Sequence, residues 1–170
     1  MKSSLPLFAA FVAVFGIFAS AEAEEKNGLS VNVSKTVIEK NDERPGYYTY
    51  QRINRTQGLK AQIKNVSFKE MPEGEIAWTI LVKKYSSTST ESYSGTEKLK
   101  GMKPAEIQEV VFGNAAISGW NDGYTQSKDK MEWQIIIKQD GKEMLKSQST
   151  SAFDSMAKHA TKAVPERKAN

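Results

Sequence analysis

Cysteine is absent from the 170-residue chain, which removes disulfides, thiolate metal sites and thiol nucleophiles together. Histidine is nearly absent: His159 is the single one, and it lies in the basic terminal region. A triad that sets an imidazole beside a serine hydroxyl therefore has nothing to be built from elsewhere in the chain. No glycine-rich phosphate loop follows a strand pattern, because Gly113, Gly119 and Gly123 stand too far apart to cradle a phosphate. Two oxygen-rich stretches, Asn41-Asp42-Glu43 and Asn121-Asp122-Gly123, lack the ordered spacing of a calcium loop and read as turns. Glu70, Glu73 and Glu75 cluster at another turn, where acids are ordinarily just solvated rather than paired for glycoside chemistry. The inventory predicts no catalytic residue, no metal, no cofactor and no enzymatic activity.

Long apolar runs are also scarce. One exists, Leu5 to Phe18, preceded by Lys2 and followed by small residues ending Ala21-Glu22-Ala23. This is the three-part layout of a cleavable secretory signal over residues 1–23, with cleavage before Glu24 or, by the pattern Ala19-Ser20-Ala21, two residues earlier. The run is shorter than the roughly 20 apolar residues that a spanning helix needs. An acidic and polar stretch, Glu22 to Asn27, follows it at once. Nothing later is apolar enough to span, so the expectation is a chain exported to the periplasm or beyond, with no membrane span in its mature part.

Without cross-links, an exported domain must rest on burial and backbone hydrogen bonds, and so needs a real core. The formal charge is +4, with both signs interspersed, which argues for solubility and against a nucleic-acid partner. The one biased stretch, Lys158, Lys162, Arg167 and Lys168 with Pro165, reads as a frayed tail.

What the chain does have is period-two alternation. Leu29, Val31 and Val33 alternate with Ser30, Asn32 and Ser34, and Val37 continues the apolar face. A turn over Asn41 to Gly46 leads into Tyr47 to Ile53, rich in aromatic and β-branched residues. Thr56-Gln57-Gly58 reads as a turn into a third strand carrying Leu59, Ala61 and Ile63. The apolar positions then shift to Val66 and Phe68, which predicts a bulge or strand end near Asn65.

After a turn at Met71 to Gly74, Glu75 to Lys84 reads as a central strand with Ile76, Trp78, Ile80 and Val82 on one face and Trp78 buried; Leu81 leaves its other face only partly polar. The hydroxyl-rich Tyr85 to Ser94 reads as a loop or polar edge, and Thr96 to Leu99 as a short strand. Lys103 to Phe112 fits both a helical face and alternation, and its strand neighbours favour the strand. Asn114 to Lys130 reads as a long connection. Asp140-Gly141 predicts a two-residue hairpin, with Gln139 facing Lys142, Lys138 facing Glu143 and Ile137 facing Met144. Phe153, Met156 and Ala157 at helical spacing predict a short terminal helix.

Several short strands separated by turns, with tryptophans in the core and no alternating helices, predict an all-β fold: a single antiparallel β-sandwich over 29–150. Residues 24–28 read as a short linker, and 151–170 as a helix with a flexible basic tail. At the level of architecture, over roughly Leu29 to Thr150, the chain resembles the immunoglobulin-like or fibronectin type III-like modules of exported bacterial proteins, without their signature disulfide. The alternative is a small closed barrel of the oligonucleotide-binding type. The resemblance implies a module that binds partners or spaces other domains.

The functional expectation is accordingly a non-catalytic exported protein, a protein-interaction or envelope structural module, with a carbohydrate-binding module as the alternative. Its partner is an unidentified protein or glycan. Tyr47, Tyr48, Tyr50, Tyr85, Tyr93, Trp120 and Tyr124 are the aromatics outside the predicted core. Trp120 and Tyr124 stand out as binding candidates because they fall in a glycine-punctuated connection. Asn32, Asn54 and Asn65 each open an N-glycosylation pattern, relevant only in a host with that machinery.

Overall fold

The computed structural model describes residues 24–44 and 50–163. The predicted signal, Tyr47 and Tyr48, and the end of the basic tail lie outside the described residues. Ten strands and one short helix follow in order: β1 (Glu24–Lys26), β2 (Leu29–Lys40), β3 (Gln51–Asn65), β4 (Gly74–Lys83), β5 (Thr90–Leu99), β6 (Ile107–Asn121), β7 (Gln126–Lys128), β8 (Lys130–Gln139), β9 (Lys142–Gln148), α1 (Phe153–Ala157) and β10 (Thr161–Lys162). They form two five-stranded sheets, ordered β1-β2-β3-β6-β7 and β10-β5-β4-β8-β9. All pairings are antiparallel except β10 with β5, which is parallel. Two separate sheets stacked on a shared core make this an all-β, sandwich-like fold and not one closed barrel.

The core is the set of inward positions that alternation marks. Leu29, Val31 and Val33 of β2, Leu59, Ala61 and Ile63 of β3, and Ile76, Ile80 and Val82 of β4 are all buried in one cluster with Trp133, Ile135 and Ile137 of β8. The strand spacing places these side chains on facing inner surfaces. Trp78 is half-buried: its ring lies over Gly95, its cross-strand partner on β5, and stacks on Phe112 at 6.1 Å between centroids. A Cβ at Gly95 would come within 2.5 Å of that ring, so glycine is the residue that makes room for it.

Several expectations need correction. Thr56-Gln57-Gly58 is no turn; it lies inside the single long strand β3. Gly58 is there because the carbonyl oxygens of Phe112 and Gly113 approach to where a side chain would start. Asn114 to Lys130 is no long connection either, since β6 runs unbroken to Asn121. Gln57 faces Ala115 while Leu59 faces Phe112, so β6 carries an extra residue, with Gly113 at φ +83°. The bulge moves the inward set from Val110 and Phe112 to Ala115 and Ile117, and a fixed period of two misses the continuation. In the β8–β9 hairpin, Asp140 and Gly141 have φ of +48° and +76° as the turn requires. Gln139–Lys142 and Lys138–Glu143 pair as expected, but Ile137 faces the buried Leu145 and not Met144, because Met144 is the extra residue of a bulge. Finally, Tyr85 to Ser94 is loop only as far as Ser89, beyond which β5 begins.

Glu24–Lys26, read as linker, pairs with β2 as an edge strand. The C-terminal segment does more than fray. It leaves β9 at one edge of the second sheet, lays α1 against β8, and ends as β10 on the opposite edge. Leu81, at the level of Ser92 and Glu132, is fully buried on this outer face, as is Phe153 of α1. That strap explains why the second face of β4 carries a leucine. Asp154 holds it to the sheet through Lys146 Nζ at 2.9 Å and Gln134 Nε2 at 3.0 Å.

Candidate functional site

Each strand of the sandwich runs between two ends. The upper end holds the starts of β3 and β8 and the ends of β4 and β6. The lower end holds Asn65, Gly74, Ile107 and Gln139. At the upper end a cleft of about 620 Å³ opens between Glu43, Tyr50, Arg52, Tyr85, Gly119, Trp120 and Asp122, a size ordinary for small-ligand sites.

Its floor comes from the paired ends of β3 and β6. Arg52 faces Trp120, and both positions point outward because Ile53 and Ile117, one and three residues away, point into the core. The backbone of this floor is engaged on both sides. Arg52 exchanges two main-chain hydrogen bonds with Glu43, at 2.8 and 3.0 Å, while Gly119 and Trp120 pair with Lys128 and Ser127 of β7. Gly119 is buried with Ser127 O where a Cβ would sit, so only glycine lets β7 come this close.

Tyr85 reaches the cleft from the second sheet, and Asp129 holds it there. That carboxylate is buried, with 1% of its side chain exposed. It accepts hydrogen bonds from the backbone N–H of Tyr85 and of Ser118, each at 3.0 Å, and an ion pair from Lys84 at 3.3 Å. One side chain thus ties the end of β4 to β6 across the two sheets. Lys84 also meets Glu91 at 3.0 Å. Burial opposes its charge, but the two carboxylates outweigh burial and raise its pKa above the usual lysine value. Burial, aided by the hydrogen bond that its hydroxyl donates to Glu91, pushes the Tyr93 phenol up as well.

Two further carboxylates shape the rim. Asp42 is almost wholly buried and takes a bidentate pair from Arg55, with Nε–Oδ1 at 3.0 Å. That hydrogen bond, against the effect of burial, holds its pKa below the usual aspartate range. Asp122 accepts the backbone N–H groups of Thr125 and Tyr124, and those bonds lower its pKa in turn. Both oxygen-rich stretches are therefore built as turns or ion pairs.

Of the predicted pair, Trp120 lines the cleft, half-buried on a strand. Tyr124 stands at the tip of the β6–β7 turn, fully exposed and outside the lining. The residues that join Trp120 are Tyr50 and Tyr85, both in the wider set of non-core aromatics, together with Glu43 and Arg52. Those two charged residues were not singled out, and their only signal is position beside a turn. Asp129 was missed altogether, since one aspartate in a polar stretch carries no pattern. Of the glycosylation patterns, Asn32 is exposed, while Asn65 is fully buried and cannot be an acceptor in the folded chain.

Fold and site together define a two-sheet, all-β protein with an aromatic and charged cleft at one loop end. No protein-family model matches the chain, and no curated protein matches it. Among solved structures, a crystal structure of a protein from Akkermansia muciniphila is similar at 9% identity and a TM-score of 0.36, over 85% of this chain and 83% of that one.

Proposed function

We propose that the chain is a non-catalytic exported recognition module whose working surface is the upper cleft. One observation carries the reading: three aromatic residues converge there with two charged side chains, Arg52 and Glu43, that have no partner among the described residues. Among the described residues, no hydrogen bond or ion pair engages the side chains of Arg52, Glu43 or Trp120, although Arg52 lies between the other two as the cross-strand neighbour of each. Arg52 and Glu43 are exposed and so hydrated, and a cleft that gathers hydrated charged groups beside aromatic rings suits a ligand that can replace that water. The leader-like residues 1–23 support export, and the lack of cysteine together with one exposed histidine supports a role without catalysis. Sandwich modules of the immunoglobulin-like kind, which the chain resembles, present binding loops at one end of a rigid scaffold in this way.

The test is site-directed photo-cross-linking in cells exporting the full chain, with a photoreactive phenylalanine replacing Tyr85. A reproducible adduct, seen as a high-mass band for a macromolecule or as an added mass in intact-protein mass spectrometry for a small ligand, is expected from position 85 and none from the same probe at Ile107, an exposed residue at the lower end. No adduct at position 85, or the same adduct from both positions, overturns the reading.

A further inference from the structure

Resting on the upper cleft as the working surface, we infer that its ligand is a neutral oligosaccharide. The argument starts from what the cleft withholds. Extended peptides commonly bind by adding a strand, which needs a free edge of backbone N–H and C=O groups. Arg52 and Trp120 have no free edge, because β6 and Glu43 flank one and β3 and β7 flank the other. Whatever sits on this floor is held by side chains.

Charge excludes the next class. A phosphate or another polyanion calls for clustered cations, yet the lining sets one guanidinium, Arg52, against two carboxylates, Glu43 and Asp122. A purely apolar ligand is no better served, since it would bury those charges unpaired.

The side chains that remain match a sugar. Tyr50, Tyr85 and Trp120 offer ring faces whose negative quadrupole suits the slightly positive C–H face of a pyranose. Around them stand groups of both hydrogen-bonding kinds. Arg52 is a donor fork, Glu43 an acceptor pair, and the Trp120 indole one more donor. Vicinal hydroxyls donate and accept at once, so a single ring edge satisfies an arginine and a glutamate side by side. Asp122 is already committed to the turn amides of Tyr124 and Thr125, which leaves Glu43 as the free acceptor. The supporting frame is rigid, with Asp129 fixing the main chain at Tyr85 and Ser118, so little ordering accompanies binding.

The test is an array of neutral and acidic glycans probed with the folded full-length mature chain, followed by calorimetry with cellohexaose, chitohexaose, maltohexaose and mannohexaose. A neutral glycan is expected to bind, with affinity falling about tenfold or more in Trp120→Ala and in Tyr85→Ala. Tyr124→Ala is expected to leave affinity unchanged, because that ring lies outside the lining. Thermal melts of every variant separate lost binding from lost folding, and Tyr85→Ala keeps the question open to refutation if Trp120→Ala fails to fold. Silence on neutral glycans while the position-85 cross-link persists overturns the sugar and leaves the cleft standing. Silence with no cross-link overturns both. Binding confined to acidic glycans, or neutral binding indifferent to Trp120 and Tyr85, also overturns the inference.

Discussion

The two ends of the sandwich are each organised by one buried polar residue, and they use it in opposite ways. At the lower end Asn65, fully buried, donates to the carbonyls of Lys69 and Met102 at 2.8 and 3.2 Å and accepts from the amide and hydroxyl of Ser67 at 2.9 and 2.7 Å. Its own backbone bonds to Glu106 and Ala105, and Met71 and Met102 exchange two more bonds beside it. The main-chain groups that bond to Asn65 close the loops on one another, although Glu70, Lys103 and Glu106 line a smaller cleft beside them. At the upper end Asp129 is as deeply buried, but what it holds in place is a rim on which, among the described residues, the side chains of Arg52 and Glu43 have no hydrogen bond or ion pair. A closed end serves the fold. On the function proposed above, the other end, equally well supported, serves a ligand.

The sharpest way to break this comparison is to remove both hubs. Asp129→Ala leaves two backbone amides without their acceptor and the Lys84 ammonium with Glu91 alone, and is expected to lower unfolding free energy by about 3–4 kcal/mol. Asn65→Ala leaves the Ser67 amide without its acceptor and takes one of two donors from each of the Lys69 and Met102 carbonyls, but strands no charge, for about 2 kcal/mol. Urea titrations measure both. Equal and small losses would show that neither residue organises its end.

How much of this was legible in advance follows from where local pattern decides structure. Alternation locates the inward faces of β3, β4 and β8 and of β2 as far as Val33, since each side chain's face follows from its parity, but Val37, read on the same face, is exposed where β2 runs beyond the core. Asp140-Gly141 located its hairpin because few dipeptides accept positive φ twice. Parity fails at bulges, and both β6 and β9 carry one, which hid the second half of β6 and misassigned Leu145. The change of face after Ile63 was visible because it coincided with a strand end at Asn65. The cleft was legible in part: Trp120 was chosen for lying in a loop, and it lines the cleft from a strand. Tyr50, Tyr85 and Trp120 come from three separated segments, and only the pairing of β3 with β6 and the reach of Asp129 toward β4 bring them together. Nothing local encodes that meeting.

A gentler perturbation sharpens the contrast through pH. The upper end leans on ionised carboxylates, whereas the contacts of Asn65 are with amides, a hydroxyl and the backbone. Arg55 holds the Asp42 pKa below its unfolded value, and the turn amides do the same for Asp122. A depressed carboxylate binds its proton more readily in the unfolded chain. Its contribution is therefore present above the ordinary aspartate pKa of about 4 and lost as pH falls through the lower folded value. Hydrogen exchange, corrected for intrinsic rates, is expected to show the amides of Asn41, Glu43 and Arg52 losing protection below about pH 4, while those of Asn65, Met71 and Met102 hold. In Asp42→Asn the same tip should be weaker at neutral pH and respond less to acid. Uniform loosening of both ends would contradict the division.

The smallest expected effect is the most discriminating. Tyr85 is fixed through its main-chain N–H, which alanine keeps, and the Arg52 guanidinium has no partner among the described residues. Tyr85→Ala and Arg52→Ala are therefore expected to move unfolding free energy by no more than about 0.5 kcal/mol, the range of ordinary surface substitutions. Destabilisation of the size expected for Asn65→Ala would mean that these side chains hold the loops together, and the upper end would then be a second closed end. A near-zero change, beside a hub below it that cannot be removed cheaply, is what separates a surface kept for a ligand from one kept for the fold.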